Sequence, residues 1–258
     1  MKPTIVILAA GLGTRFKSNI AKALHPLAGQ PLIGHVLKAA FNVDPEQVVL
    51  VLGHQADKVN NAVGDSRVRI VLQAEQLGTG HAVQQAAEAI SSSAGPVMIL
   101  CADTPLLTDK TLREVLALHE KSRAAITLLT TSMADPFGYG RVVRGKSGVM
   151  RIVEEKDATA AERKIREVNA GIYCFDAKFL VSSLSLLGRN NAQGEYYLPD
   201  TIALARKKKR FVAALMCGDP DEVMGVNSRY DLSRAEAVMR QRTNRRWMLE
   251  GVTMLDQL

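Results

Sequence analysis

With 258 residues, 47% of them apolar and 23% charged, the chain has the make-up of a folded globular protein with room for one large domain or two modest ones. Disorder, collagen-like repeats and a disulfide-stapled miniprotein are excluded. Lys and Arg (33) outnumber Asp and Glu (26), and this net +7 favours polyanionic small substrates. No apolar run approaches the ~20 residues of a membrane span, so no membrane association is expected. The opening run at residues 4–10 passes directly into Gly11, Gly13 and Arg15, which reads as a first buried strand rather than a signal peptide.

Strand-like apolar runs at 4–8, 48–52, 68–72 and 97–101 alternate with helical patterns at 31–41, 55–63 and 79–90. In the last of these, Ala82, Val83, Ala86, Ala87 and Ile90 recur on one face. A helix at 108–120 and a strand at 125–131 continue the rhythm. Uniformly apolar strands separated by helices predict a Rossmann-like, mostly parallel α/β sheet flanked by helices.

Beyond residue 133 the spacing changes. Runs at 141–144 and 149–154, joined by Gly145-Lys146-Ser147-Gly148, predict a small β-hairpin insertion. A strand at 168–174, helices at 176–186 and 199–208, and a strand at 211–217 follow. Residues 229–249 read as one long terminal helix with a narrow apolar stripe of Leu232, Ala235 and Met239. This second half reads as an extension of the same sheet. Gly140 to Ser147 matches the phosphate-loop pattern GxxxxGK[ST], but β-branched valines set between arginines suit a strand, and another strand follows where that motif needs a helix.

Cys101, Cys174 and Cys217 lie in apolar runs without CxxC or zinc spacing, as expected of reduced thiols in a cytoplasmic protein. The basic block Arg206–Arg210 ends a predicted helix, where cations offset the helix dipole. A nucleic-acid patch is the other reading. The block has no interleaved aromatic residue except Phe211, so no nucleic-acid partner is expected.

The chemistry gathers at strand ends. Leu8-Ala9-Ala10-Gly11-Leu12-Gly13 forms a small-residue turn after the first strand, the edge at which open α/β sheets bind ligands. Phe16 stands where the dinucleotide fingerprint needs Gly or Ala. Arg15 and Lys22 follow in a long loop, and two cations beside exposed backbone N–H groups suit phosphates. Asp103 leaves the same edge after the strand ending at Cys101. There it suits Mg²⁺, which takes one or two carboxylates plus phosphate oxygens; the other reading makes it a cap for the helix after Pro105.

LAAGLGTRF (8–16), KALHPLAGQPL (22–32), QAEQLGTGHA (73–82), DTPL (103–106), DPFGYGRV (135–142), IVEEKDAT (152–159), VNAGIY (168–173), NNAQGEYYLPD (190–200) and GVNSR (225–229) together resemble the uridylyltransferase domain of bacterial N-acetylglucosamine-1-phosphate uridylyltransferases. The resemblance runs over nearly the whole chain, and implies a nucleotide-diphospho-sugar transferase fold over residues 1–227 with a helical arm at 228–258. It also implies that UTP and N-acetylglucosamine 1-phosphate become UDP-N-acetylglucosamine and pyrophosphate. Other sugar 1-phosphates, TTP or CTP, and a non-catalytic nucleotide-sugar sensor are the alternatives.

The resemblance puts Arg15 and Lys22 at the phosphates and Asp103 and Asn227 on Mg²⁺. From the residues alone, Asn227 also reads as the cap of the terminal helix. Gln73, Gly78 and Thr79 match contacts to uracil, and a carboxamide suits the imide edge because it both donates and accepts. Gly140, Glu154 and Asn169 match contacts to the N-acetylhexosamine; by its own context Glu154 reads as an ordinary surface charge. Glu195, Tyr196 and Tyr197 lie in a matching loop without individual roles. Where the family has an aromatic residue and then Gly before the aspartate, this chain has Cys101 and Ala102, a difference that bears on hexosamine selection. Bifunctional members continue into a hexapeptide-repeat acetyltransferase domain. This sequence contains no such repeats, so acetyl transfer is not expected. An oligomer stays open, but a trimer, which the resemblance ties largely to that domain, is not carried over.

Overall fold

The computed structural model describes residues 1–256. Its strands are β1 (Thr4–Ala9), β2 (Pro26–Leu27), β3 (Gln30–Pro31), β4 (Gln47–Leu52), β5 (Val68–Leu72), β6 (Val97–Cys101), β7 (Ile126–Ser132), β8 (Arg141–Gly145), β9 (Gly148–Val153), β10 (Glu167–Phe175) and β11 (Val212–Met216). Its helices are α1 (Leu32–Asn42), α2 (Ala56–Val63), α3 (Thr79–Gln85), α4 (Ala87–Ser91), α5 (Asp109–Ser122), α6 (Ala177–Leu184), α7 (Thr201–Lys207) and α8 (Arg229–Leu249).

The main sheet runs β11-β7-β10-β6-β1-β4-β5, with the β8–β9 hairpin attached to β10. All its neighbours are parallel except β10, which runs antiparallel between β6 and β7. Side chains alternate across the sheet, as a two-residue strand period requires. Ile5, Ile7, Val48, Leu50, Met98 and Leu100 face one apolar cluster with residues of α1 and α5. Val6, Val49, Val51, Val97 and Ile99 face the other, with residues of α3, α4, α6 and α7. Burial on both faces explains the nearly continuous apolar runs of these strands. The second half of the chain joins this same sheet, as its sequence predicts.

Several details differ from the sequence reading. The helix expected at 79–90 breaks at Ala86, whose N–H bonds back to Val83 rather than continuing the helical ladder. The bend keeps Ala82, Val83 and Ala86 before it, and Ala89 and Ile90 after it, on one core face. The long loop after β1 is not structureless: it contains 3₁₀ turns at Thr14–Phe16 and Lys22–Leu24 and the small β2–β3 pair. Phe16, Leu27 and Leu32 anchor it in a third apolar cluster with Leu106, Val226 and Ala235 of α8; Leu232, Val238 and Met239 pack beside it. The α8 stripe therefore covers the loop that carries the basic residues. The phosphate-loop look-alike is the β8–β9 hairpin, with Gly145 and Gly148 paired across its turn.

Candidate active site

β1 lies where the strand order reverses, with β4 on one side and β6 on the other. At such a point the connections leave the sheet in opposite directions and open a crevice beyond the strand ends. A two-lobed cleft occupies it. One lobe, of about 420 Å³, is lined by Leu8, Ala9, Ala10, Gly11, Gly13, Gln73, Gly78 and Lys22. The other, of about 520 Å³, is lined by Gly140, Glu154 and Asn169. Arg15, Thr79, Asp103 and Asn227 line both and mark their junction. Every predicted site residue thus lies on one continuous cleft.

The junction is held by charge. The Lys22 ammonium donates to the Asp103 carboxylate and, at 2.6 Å, to Asn227 Oδ1. The same oxygen accepts from Arg15 Nη2 at 2.8 Å. Asp103 and Asn227 are brought side by side by the backbone, where the Val226 N–H donates to the Asp103 carbonyl at 2.7 Å. Neither caps a helix. Thr108 Oγ1 accepts from Thr111 N–H at the start of α5, and Ser228 Oγ accepts from Asp231 N–H at the start of α8. The two cap readings are therefore corrected, and both polar side chains face the cleft instead. Gly13 lets the loop fold onto itself: its φ is +63°, and a Cβ there would lie 2.8 Å from Lys22 Cβ.

An ammonium already bridges Asp103 and Asn227, so two hard oxygen donors point at one cation position. That donor set fits Mg²⁺, which completes its shell with water and phosphate oxygens. Among the described residues no group of three or more His, Cys, Asp or Glu side chains converges on a metal position. A metal here would need those substrate oxygens.

Gln73, 3% exposed, spends its amide nitrogen within the protein: Nε2 lies 3.2 Å from the Gly78 carbonyl and 3.0 Å from His81 Nδ1. A carbonyl can only accept, which fixes which end of the carboxamide is NH₂. Oε1 is left to accept from a ligand. Such an acceptor suits the N3–H of uracil or thymine and faces the lone pair of cytosine N3. The Thr79 hydroxyl oxygen accepts from the Leu198 N–H at 3.1 Å, which ties the start of α3 to the segment after Tyr197.

In the second lobe, Glu154 is half-buried. Burial first, then the nearby Asp157 and Asp200 carboxylates, push its carboxyl up to about 7, against the lowering influence of Arg141. The surface-charge reading of Glu154 is corrected by this setting. A Cβ on Gly140 would come within 2.7 Å of Ile152 Cγ2 and 3.0 Å of Glu154 Oε1, so glycine there keeps the carboxylate in place. The register shift in β10 between Asn169 and Tyr173 brings Gly171, at φ +75°, between them. Asn169 Nδ2 then donates to the Tyr173 hydroxyl at 2.6 Å while its Oδ1 accepts from Gly171 N–H at 3.2 Å.

Cys101 is not in the closed core as its apolar run suggests. It ends β6 at the cleft floor, lining both lobes. Burial, reinforced by Asp103, pushes its thiol up to about 12, so it is no nucleophile at neutral pH. Cleft residues outside the sequence-derived site include Gln76, whose Nε2 donates to the Gln73 carbonyl at 3.2 Å, and Tyr139. The latter sits inside Gly138-Tyr139-Gly140, a glycine–aromatic–glycine signal that could have marked a ligand-facing turn.

A family model described as a MobA-like NTP transferase domain matches residues 5–169. The bifunctional protein GlmU of Trichlorobacter lovleyi is 51% identical over 253 residues, 97% of this chain and 55% of that protein. The bifunctional protein GlmU of Desulfotalea psychrophila is 47% identical over 252 residues, 97% of this chain and 74% of that protein. The chain spans about half the length of most of the curated relatives it matches. A solved UDP-glucose pyrophosphorylase complexed with UDP-glucose, 18% identical, superposes with a TM-score of 0.74 over 94% of this chain and all of that one, a likeness of fold. The chain belongs to the family of MobA-like NTP transferase domains.

Proposed function

We propose that the chain transfers the uridylyl group of UTP to N-acetylglucosamine 1-phosphate, releasing pyrophosphate, with Mg²⁺ held by Asp103 and Asn227. The observation that carries this reading is the meeting of Arg15, Lys22, Asp103 and Asn227 at the junction of two lobes. One lobe offers a base-reading carboxamide and the other a carboxylate and an amide suited to sugar hydroxyls. The curated relatives named GlmU support the same assignment.

An oxygen of the sugar phosphate attacks the α-phosphorus of UTP, forming one P–O bond while the bond to the leaving pyrophosphate breaks. No protein nucleophile is needed, so the protein acts by positioning and by neutralising charge. The Lys22 ammonium is free to move from the carboxylate to the phosphates as they arrive. Arg15 holds the same charge from the other side and stabilises the leaving pyrophosphate. Gln73 selects the base through Oε1. Glu154 and Asn169 orient the sugar so that its phosphate faces the junction. When bound, Mg²⁺ supplies further neutralisation of phosphate charge. No helix of the described chain is long and apolar enough to cross a membrane, and the three free thiols suit a cytoplasmic location.

The test is pyrophosphate release from UTP, TTP and CTP with a set of sugar 1-phosphates, with and without Mg²⁺. The expected result is turnover only with UTP, N-acetylglucosamine 1-phosphate and a divalent cation. Preference for another hexose 1-phosphate would correct the sugar, for which Cys101 and Ala102 supply a structural reason. Tight UDP-sugar binding without turnover would make the chain a sensor.

A further inference from the structure

The segment from Phe137 to Gly140 forms a rim of the second lobe, and its backbone is fastened from outside the cleft. Glu155 Oε2 accepts from the Gly138 N–H at 3.1 Å and from Arg141 Nη2 at 2.7 Å. Arg141 Nη1 donates to the Tyr139 carbonyl. Arg141 is 2% exposed, lines neither lobe, and leaves its Nε buried without a partner. A guanidinium so deeply buried gives up its hydration, and what it does here is hold the Tyr139 backbone in one place.

Tyr139, so held, reaches across to the segment that carries Asn227. Its hydroxyl oxygen accepts from the Gly225 N–H at 3.3 Å. On the other side of the same residue, the Gly225 carbonyl accepts from Asn227 Nδ2 at 3.3 Å. That bond holds the nitrogen end of the Asn227 carboxamide, while Oδ1 faces Lys22 and Arg15, so the amide orientation is held from both ends. Gly225 has no room to spare: a Cβ on it would lie 3.0 Å from Asn227 Nδ2. Two hydrogen bonds, one on each side of Gly225, therefore connect the sugar rim to the side chain that holds the oxygen at the cation position.

We propose that Tyr139 is a positioning residue which, through Gly225, orients the Asn227 carboxamide for the divalent cation, so that the sugar rim and the metal position are set together. This rests on the assignment of Asn227 as a metal ligand. It differs from a local role in shaping the sugar lobe, because its effect falls on cation affinity and turnover rather than on sugar affinity.

The experiment compares wild type, Tyr139→Phe and Tyr139→Trp. Mn²⁺ binding is followed by electron paramagnetic resonance with a non-hydrolysable UTP analogue present. Steady-state kinetics are then measured at varied Mg²⁺. Phe keeps the ring and removes only the hydroxyl, so the fold and the sugar lobe are retained, and a thermal melt checks this.

The expected result for Tyr139→Phe is Mn²⁺ affinity about fivefold weaker, half-saturating Mg²⁺ raised by a similar factor, lower kcat, and KM for the sugar phosphate within twofold of wild type. Unchanged Mn²⁺ affinity with a raised sugar KM would overturn the proposal and leave Tyr139 a sugar-lobe residue. Should Phe show no change while Trp, which displaces the Gly225 contact sterically, weakens only the sugar KM, the proposal is likewise overturned. Wild type that transfers no uridylyl group yet shows the Mn²⁺ difference would remove the proposed reaction and keep this coupling. Wild type that binds no Mn²⁺ with the analogue would remove both.

Discussion

The Lys22 ammonium and the Asn227 side-chain oxygen, 205 residues apart in sequence, meet at 2.6 Å beside the Asp103 carboxylate. The lysine ammonium thus occupies the cation position that a metal–phosphate complex would take over. Lys22→Met keeps the apolar stem and removes the charge. It is expected to lower kcat by about 10²–10³-fold, the usual scale for losing one transition-state charge partner, while changing KM for UTP far less. Asp103→Asn is expected to reduce pyrophosphate release to background at any Mg²⁺ concentration. Pyrophosphate assays with a thermal melt check both, and a fully active Asp103→Asn enzyme would remove the metal assignment.

Gln73 offers only an acceptor to the cleft, because its amide nitrogen is occupied by Gly78 and His81. Gln73→Ala deletes that acceptor and leaves the Gly78 carbonyl without its side-chain donor. A loss of about 1–3 kcal/mol is expected, read as KM for UTP rising roughly 5- to 150-fold. Selectivity for UTP over CTP should fall in parallel, which competition assays with the two nucleotides measure.

The Glu154 carboxyl, lifted to about 7 by burial and then by Asp157 and Asp200, holds its proton in the folded chain where an unfolded chain has lost it. Between the unfolded value near 4.5 and about 7 the native state binds more protons, so stability from this group is present at low pH and lost as pH rises through that window. Glu154→Gln should remove the dependence, making the variant more stable than wild type at pH 8 by on the order of 2 kcal/mol but not at pH 4. Denaturant titrations at the two pH values decide it. Sugar hydroxyls need an acceptor, so KM for the sugar phosphate should fall from pH 6 to pH 8 in wild type more than in the variant.

Gly13 sits at φ +63° with the Lys22 side chain against it. Gly13→Ala is expected to cost about 1–2 kcal/mol from the left-handed backbone alone, and to push Lys22 away from Asp103. The melting temperature should drop by a few degrees while kcat drops at least tenfold. Equal falls in stability with no change in kcat would show that Lys22 has slack there.

The sheet and most helices are readable from the chain because their residues obey one-dimensional rules. Val48 to Leu52 is apolar at every position since both of its faces are covered, and Gly145 to Gly148 carries turn chemistry in its own residues. Gly11, Gly13, Arg15, Lys22 and Asp103 stand out because charged and glycine-rich residues follow buried strands. The bend at Ala86 has no such mark, because alanine suits a straight helix. Likewise nothing in the residues of β10 announces its antiparallel course, since an apolar run reads the same in either direction.

What the sequence by itself determined is the layered α/β architecture, with basic and acidic residues gathered at strand ends; periodicity and turn propensity are local properties. Only the tertiary structure decided that Asn227 faces Lys22 rather than capping α8, that Gln73 is left with a lone acceptor, and that Glu154 sits among other carboxylates. It also decided that Tyr139 touches Gly225. Each of these depends on which groups from distant segments compete for the same few ångströms, and that competition exists only once the sheet has brought those segments together.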